Sequence, residues 1–100
     1  MAGGRLLLVG CGKMGGAMLE GWLERGLKPA DLAVIEPVEA IQPKIAGAAI
    51  VGSIDKLPAS FAPDLVVLAV KPQTMDVALP GLRRFADAGA TFLSIAAGKT

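Results

Sequence analysis

Five short apolar runs are spaced along the chain and predict the strands of one sheet. The side chains in each run are mostly apolar throughout rather than alternating with polar ones. Such continuous runs are typical of parallel strands that are covered on both faces. The runs are Leu6–Val9, Leu32–Ile35, Ala48–Val51, Leu65–Val70 and Thr91–Ala96.

The segment between the first two runs has the periodicity of a helix. Its small and apolar side chains recur at helical spacing, at Met14, Ala17, Met18, Gly21 and Trp22. This pattern predicts an amphipathic helix that packs on the sheet. We expect Gly26 to end that helix in the left-handed conformation, and Trp22 to belong to the core.

The other connections contain prolines and predict less regular structure. In the second connection, Pro37 suits a helix start, and Pro43 should break or restart a helix. The third predicts one helical turn capped by Ser53. The fourth, QTMDVALPGLRRFADAGA, predicts two short helical pieces divided at Pro80-Gly81.

Alternation of strands with helical segments predicts an α/β fold in which right-handed crossovers join parallel strands. Five strands in this pattern favour the order 3-2-1-4-5 with helices on both faces, a Rossmann-type fold. The length of 100 residues allows one domain. No helical segment follows the fifth run to cover that edge, so we expect residues 1–100 to be the N-terminal domain of a longer protein.

Composition excludes several kinds of function. The chain has no His, no Tyr and one Cys, so it cannot build an ordinary zinc site, a disulfide or a catalytic relay that needs His. Its net charge is +1 without a basic run, which argues against nucleic acid. No apolar run approaches the roughly 20 residues of a membrane span. We therefore expect a cytoplasmic protein without a metal site.

A glycine-rich turn joins the first strand to the helix. Residues 10–15, GCGKMG, match the pattern G-x-G-x-x-G in the strand–turn–helix context that indicates dinucleotide binding. Gly10 would permit the tight turn, Gly12 the approach of a pyrophosphate, and Gly15 close packing of helix on strand. The N–H groups at the helix start would face the phosphates. We interpret Cys11 as a small filler, and a purely structural turn is the alternative.

Three further sites lie at the ends of later strands, where open α/β sheets bind ligands. Glu36 follows the second run, where an acid accepts hydrogen bonds from the ribose hydroxyls of NAD and repels the 2′-phosphate of NADP. The alternative is a solvated acid at a strand end. Lys71-Pro72 follows the fourth run, where the nicotinamide should arrive, although a lone lysine at a strand end is more often simply solvated. The segment Ser94–Gly98 is built of small residues that permit a flat ring to approach.

Three segments together resemble the pyrroline-5-carboxylate reductase family. They are GCGKMGGAMLEGW, LAVKPQ and SIAAG, in this order and at these intervals. The family commonly has Asn where this chain has Lys13. The resemblance implies three groups of cofactor-binding residues: the turn of Gly10, Cys11, Gly12, Lys13, Met14 and Gly15; the border of Ala69, Val70, Lys71 and Pro72; and the nicotinamide contacts Ala97 and Gly98.

The same resemblance implies an activity for the complete protein. It would reduce the C=N bond of 1-pyrroline-5-carboxylate with hydride from NADPH or NADH and so form L-proline. The family often uses NADPH, whereas Glu36 favours NADH. A helical C-terminal domain would form the homo-oligomer, bind the substrate and supply the catalytic hydroxyl. We therefore expect no catalytic residue in this chain, and cofactor binding without turnover.

Two other interpretations remain open at this point. Hydroxyacid dehydrogenases have a similar glycine turn but a Ser/Thr-rich substrate loop after the fifth strand. A non-catalytic NAD-sensing module would need only the cofactor site. Both share the predicted fold and differ in what lies beyond the cofactor.

Overall fold

The computed structural model describes residues 4–10, 13–58, 60–69 and 72–94. Within these residues there are two helices and five strands, and single 3₁₀ turns lie at Pro29–Asp31, Glu39–Ile41 and Ile54–Lys56. In chain order the regular elements are β1 (Leu6–Val9), α1 (Lys13–Glu24), β2 (Leu32–Ile35), β3 (Ala49–Val51), β4 (Leu65–Leu68), α2 (Pro72–Asp87) and β5 (Thr91–Ser94).

The five strands form one parallel sheet in the order β3-β2-β1-β4-β5. This confirms the predicted strand order and the Rossmann-type α/β fold. At the centre of the sheet, Leu8 of β1 aligns with Val34 of β2 and Val67 of β4. The observed β3 and β4 are shorter than the apolar runs that predicted them: Ala48 and Ala69 lie just outside, and Val70 lies outside the described residues.

Alternate residues of each strand enter two separate cores on the two faces of the sheet, because successive side chains of a strand point to opposite faces. The core on the α1 face includes Leu6, Leu8, Leu32, Val34 and Val67 from the strands, with Leu19 from α1. The core on the α2 face includes Leu7, Val9, Ala33, Ile35, Val66 and Leu68, with Leu82 and Phe85 from α2. The prediction of helices on both faces is confirmed.

The end of α1 follows the sequence-based expectation. Gly26 has a φ of +105°, the Leu27 N–H donates to the Trp22 carbonyl at 3.0 Å, and the Gly26 N–H donates to the Leu23 carbonyl at 3.1 Å. These two bonds are those of a Schellman motif. Leu27 is buried in the core on the α1 face. Trp22 is half-buried and packs against this core, as predicted.

The prediction of two helical pieces divided at Pro80-Gly81 is wrong, because α2 continues through both residues. Pro80 is exposed on the outer side of the helix. Gly81 lies beside Ile54, where a Cβ would be 3.0 Å from Ile54 Cγ2. Beyond them, Leu82 and Phe85 are buried in the core. A proline in the interior of a helix lowers stability by about 3 kcal/mol. Burial of the two large apolar side chains stabilises the folded state by about 1.5–3 kcal/mol each, and this gain offsets the cost of the proline.

The short turns differ in detail from the sequence-based expectations. In the second connection the 3₁₀ turn begins at Glu39 rather than at Pro37, and no helix restarts at Pro43 within the described segment 42–48. The third connection has its turn directly after Ser53, as predicted. The Ser53 side chain does not cap it, however; the Ser53 carbonyl oxygen accepts from the Lys56 N–H at 3.1 Å. The prediction of a Ser53 side-chain cap is therefore wrong, and the turn is closed by the ordinary backbone bond of a 3₁₀ helix.

Candidate cofactor site

The carboxyl ends of β1, β2 and β4 bring three of the predicted site residues to one edge of the sheet. Gly10, Glu36 and Ala69 each directly follow a strand. The Gly10 N–H donates to the Ile35 carbonyl, and the Ala69 N–H donates to the Val9 carbonyl, both at 2.8 Å. The three strand ends are thus joined by backbone hydrogen bonds. This is the edge at which open α/β sheets bind their ligands.

The glycine turn begins with the geometry that its pattern predicts. Gly10 has a φ of +90°, a conformation that favours glycine. At Gly15 a Cβ would lie 3.0 Å from the Gly10 carbonyl oxygen and 3.5 Å from Leu8 Cδ2. Only a residue without a side chain lets α1 start this close to the end of β1. Cys11 and Gly12, between these glycines, lie outside the described residues.

The N-terminus of α1 provides the electrostatic part of the site. The helix begins at Lys13, and its first turn has no acidic side chain. Its first N–H groups have no partners within the helix and carry a partial positive charge. No carboxylate of that turn offsets this charge. The helix start is therefore suited to an anionic group such as a phosphate.

Glu36 is buried, with 5% of its surface exposed. Its Oε2 accepts a hydrogen bond of 2.9 Å from the Val38 N–H, and its backbone N–H donates to the Val51 carbonyl at 2.8 Å. A buried charge is expensive unless it is hydrogen-bonded. The alternative interpretation of Glu36 as a solvated acid is wrong. The carboxylate belongs to the edge that also carries Gly10.

Sequence reasoning missed one residue next to this acid. The Gln42 side-chain amide donates a hydrogen bond of 2.8 Å to the Glu36 backbone carbonyl. Gln42 lies in an irregular loop without a periodic pattern, so nothing in the sequence indicated that its side chain points toward Glu36.

The remaining predicted site residues are described only in part. Pro72 is the first residue of α2, which starts at the same edge of the sheet because it follows β4. Val70, Lys71, Ala97 and Gly98 lie outside the described residues. Their contacts with a nicotinamide stay predictions.

Two further properties concern the described part of the chain. It contains no cluster of three or more potential metal ligands. Neither of its helices combines the length and apolarity that crossing a bilayer requires.

The family model described as "NADP oxidoreductase coenzyme F420-dependent" matches residues 5–98, nearly the whole chain. The chain belongs to this family. It is therefore an NAD(P)-binding oxidoreductase domain, and its implied cofactor is a nicotinamide dinucleotide. The described residues fit such a cofactor: Gly10 has the positive φ of the turn, Gly15 lets α1 start against that turn, and the first turn of α1 has no acidic side chain.

Comparison with solved structures agrees on the fold. A conserved hypothetical protein from Pyrococcus furiosus superposes with a TM-score of 0.61 at 18% sequence identity, and the alignment covers 96% of this chain and 94% of that one. At this identity the likeness concerns the fold alone. No curated protein matches the chain.

Proposed function

We propose that this chain is the cofactor-binding half of a pyrroline-5-carboxylate reductase and that it prefers NADH. The observation that carries the cofactor part is the buried Glu36 carboxylate at the edge where the Gly10 turn and the start of α1 also lie. Family membership supports a nicotinamide dinucleotide oxidoreductase. The segments LAVKPQ and SIAAG support the narrower assignment to the reductase.

The glycine turn and the start of α1 would hold the pyrophosphate. Gly10 forms the tight turn and Gly15 brings the start of α1 against it, so that the N–H groups of the first helical turn would donate to the pyrophosphate oxygens. The nicotinamide half would lie along Ala69, Val70, Lys71 and Pro72, with Ala97 and Gly98 beside the ring.

Glu36 would accept hydrogen bonds from the hydroxyls of the adenosine ribose. An ionised carboxylate offers about four lone-pair sites and can accept several hydrogen bonds at once. A 2′-phosphate would bring a second negative group against this buried carboxylate. Like charges at a desolvated contact cost several kcal/mol, and this repulsion is the reason for the proposed preference for NADH.

The chemistry would come from the cofactor, which supplies a hydride to the carbon of the C=N bond in 1-pyrroline-5-carboxylate and so yields L-proline. The residues of this chain would bind the cofactor and orient its ring. The substrate pocket, the catalytic hydroxyl and the homo-oligomer interface would belong to a helical C-terminal domain of a longer cytoplasmic protein. The 100-residue chain would then bind cofactor without appreciable turnover, because no second wall holds the imine near the hydride.

Calorimetric titration of the chain with NADH tests the cofactor part. Binding is expected, and Gly12→Val should abolish it with little effect on unfolding, because the motif places the backbone of Gly12 against the pyrophosphate. Equal NADH affinity of both proteins would remove the glycine turn from the site.

The reductase part needs the substrate-binding half. The chain joined to the helical domain of a pyrroline-5-carboxylate reductase should oxidise NADH in the presence of 1-pyrroline-5-carboxylate, while the chain alone should not. Turnover of a hydroxyacid by the joined protein, or turnover of the imine by the chain alone, would contradict the proposal.

A further inference from the structure

Two exposed apolar side chains lie in the turn that follows β2. Among the large apolar residues that the structure describes, three are exposed: Val38, Ile41 and Leu93. Val38 is 54% exposed and directly precedes the 3₁₀ turn, and Ile41 is 46% exposed and ends it. Single exposed apolar residues are ordinary on a protein surface. Two of them in one turn form a small patch with a definite position.

The geometry of the turn places these two side chains next to each other. The Ile41 N–H donates to the Val38 carbonyl at 3.1 Å, and residues three apart in a 3₁₀ turn lie on the same side of it. Gln42 lies on a different side, where its amide donates to the Glu36 carbonyl at 2.8 Å. Val38 and Ile41 therefore form one apolar patch, separate from the polar side of the turn.

The apolar patch is adjacent to the proposed ribose site. The Val38 N–H donates to Glu36 Oε2 at 2.9 Å, so the backbone of the turn contacts the carboxylate. In the proposed function, this carboxylate accepts hydrogen bonds from the hydroxyls of the adenosine ribose. The base is attached to the same sugar, so one sugar ring separates the hydroxyls at Glu36 from the adenine. A base held in this way lies within reach of Val38 and Ile41.

We propose that the apolar patch of Val38 and Ile41 is the surface on which one face of the adenine of the cofactor lies. The inference rests on the proposed function, because it takes the adenosine ribose to be at Glu36. A nucleobase has a flat π-face, and contact between that face and two aliphatic side chains removes apolar surface from water. The patch makes no hydrogen bonds to the base and contributes affinity by burial alone.

The size of the patch favours a nucleobase over a second protein chain. A specific protein–protein interface buries about 1,200–2,000 Å², which two side chains cannot supply. Leu93, the remaining exposed large apolar residue that the structure describes, belongs to β5 at the edge of the sheet, three places from β2. It therefore does not extend the patch.

The test compares Ile41→Ser with Leu93→Ser, which remove apolar side chains of similar exposure at the two places. The probe is ADP-ribose, which contains the adenosine and the pyrophosphate but no nicotinamide, and calorimetric titration measures its dissociation constant. Ile41→Ser should weaken binding by about three- to tenfold, as expected for losing the burial of about half an isoleucine side chain. Leu93→Ser and Ile41→Leu should keep the original affinity.

A second variant and a direct contact measurement keep the test independent of the folding of Ile41→Ser. Val38→Thr retains the branched shape and the backbone N–H that bonds Glu36, and it should also weaken ADP-ribose binding. In the unmodified chain, NMR should show nuclear Overhauser effects between the adenine H2 or H8 proton of bound ADP-ribose and the methyl groups of Val38 and Ile41. Urea unfolding confirms that each variant is folded.

The outcomes separate this inference from the proposed function. If the unmodified chain bound neither ADP-ribose nor NADH, both would be refuted. If it bound both ligands, but Ile41→Ser and Val38→Thr bound ADP-ribose as tightly and the adenine gave no such effects, the apolar patch alone would be refuted. Unchanged affinity together with conversion of a dimer to a monomer by Ile41→Ser would assign the patch to an interface between copies of the chain instead.

Discussion

Gly15 lies so close to Gly10 that a Cβ on Gly15 would be 3.0 Å from the Gly10 carbonyl oxygen. The atom in the way belongs to the backbone of the turn, which cannot rotate aside as the end of a side chain can. The close approach of α1 to β1 therefore depends on a glycine at this position. The same turn is the proposed binding site for the pyrophosphate, so packing and binding are coupled here.

The first prediction compares two neighbouring glycines of α1. Gly15→Ala should destabilise the domain by about 1–3 kcal/mol, the usual cost of overpacking, and should weaken NADH binding because the turn must shift. Gly16→Ala is the control: a Cβ there meets nothing within 4 Å, and alanine in a helix is about 0.5–1 kcal/mol more favourable than glycine. Urea unfolding measures the stability of both variants. Equal stabilities of the two variants would contradict the packing at Gly15.

The second prediction concerns cofactor choice at Glu36. Glu36→Ser should narrow or reverse the preference for NADH over NADPH, because it removes the carboxylate that repels a 2′-phosphate. The change in discrimination should be on the order of a few kcal/mol. Glu39→Ser, at an exposed acid of the same loop, should change the preference much less. Calorimetric titration of each variant with NADH and with NADPH gives the two dissociation constants whose ratio is the preference. An equal effect of both variants would mean that general charge, rather than a contact with Glu36, sets the preference.

The third prediction tests the continuity of α2. Pro80 lies between the ends of α2, and its side chain is exposed to solvent. It has no backbone N–H to donate to the carbonyl of the preceding helical turn. Pro80→Ala should therefore stabilise the domain by about 1–2 kcal/mol, after allowance for the greater freedom of the unfolded chain. Pro58→Ala, at an exposed loop proline, should instead lower the stability by about 0.4–1 kcal/mol. If Pro80→Ala left the midpoint of urea unfolding unchanged, α2 would be divided at that residue.

The fourth prediction separates the core from the exposed edge of the sheet. Leu82 of α2 is 2% exposed, whereas Leu93 of β5 is 50% exposed. Leu82→Ala should cost about 2–5 kcal/mol, since it removes a buried side chain and leaves a cavity. Leu93→Ala should cost less than about 1 kcal/mol, since half of that side chain already contacts solvent. Thermal and urea unfolding of both variants provide the measurement. Similar losses would show that Leu93 is covered in solution.

The sequence by itself determined the sheet and the glycine turn. Strands such as Leu6–Val9 are apolar on both faces, and only a sheet covered on both sides buries them completely. The alternation with helical segments then leaves few topologies, and the observed order agrees with the predicted one. Gly10 and Gly26 were predictable for a local reason: each occupies a turn that requires a positive φ.

Only the tertiary structure decided the course of α2 and the surroundings of Glu36. A local rule ends a helix near Pro80, but the burial of Leu82 and Phe85 is a long-range gain that local rules do not include. The bond from Gln42 to Glu36 likewise depends on how an irregular loop folds back between the ends of β2 and β3. A loop has no period to show which of its side chains points inward, so this contact becomes visible only when the strands are in place.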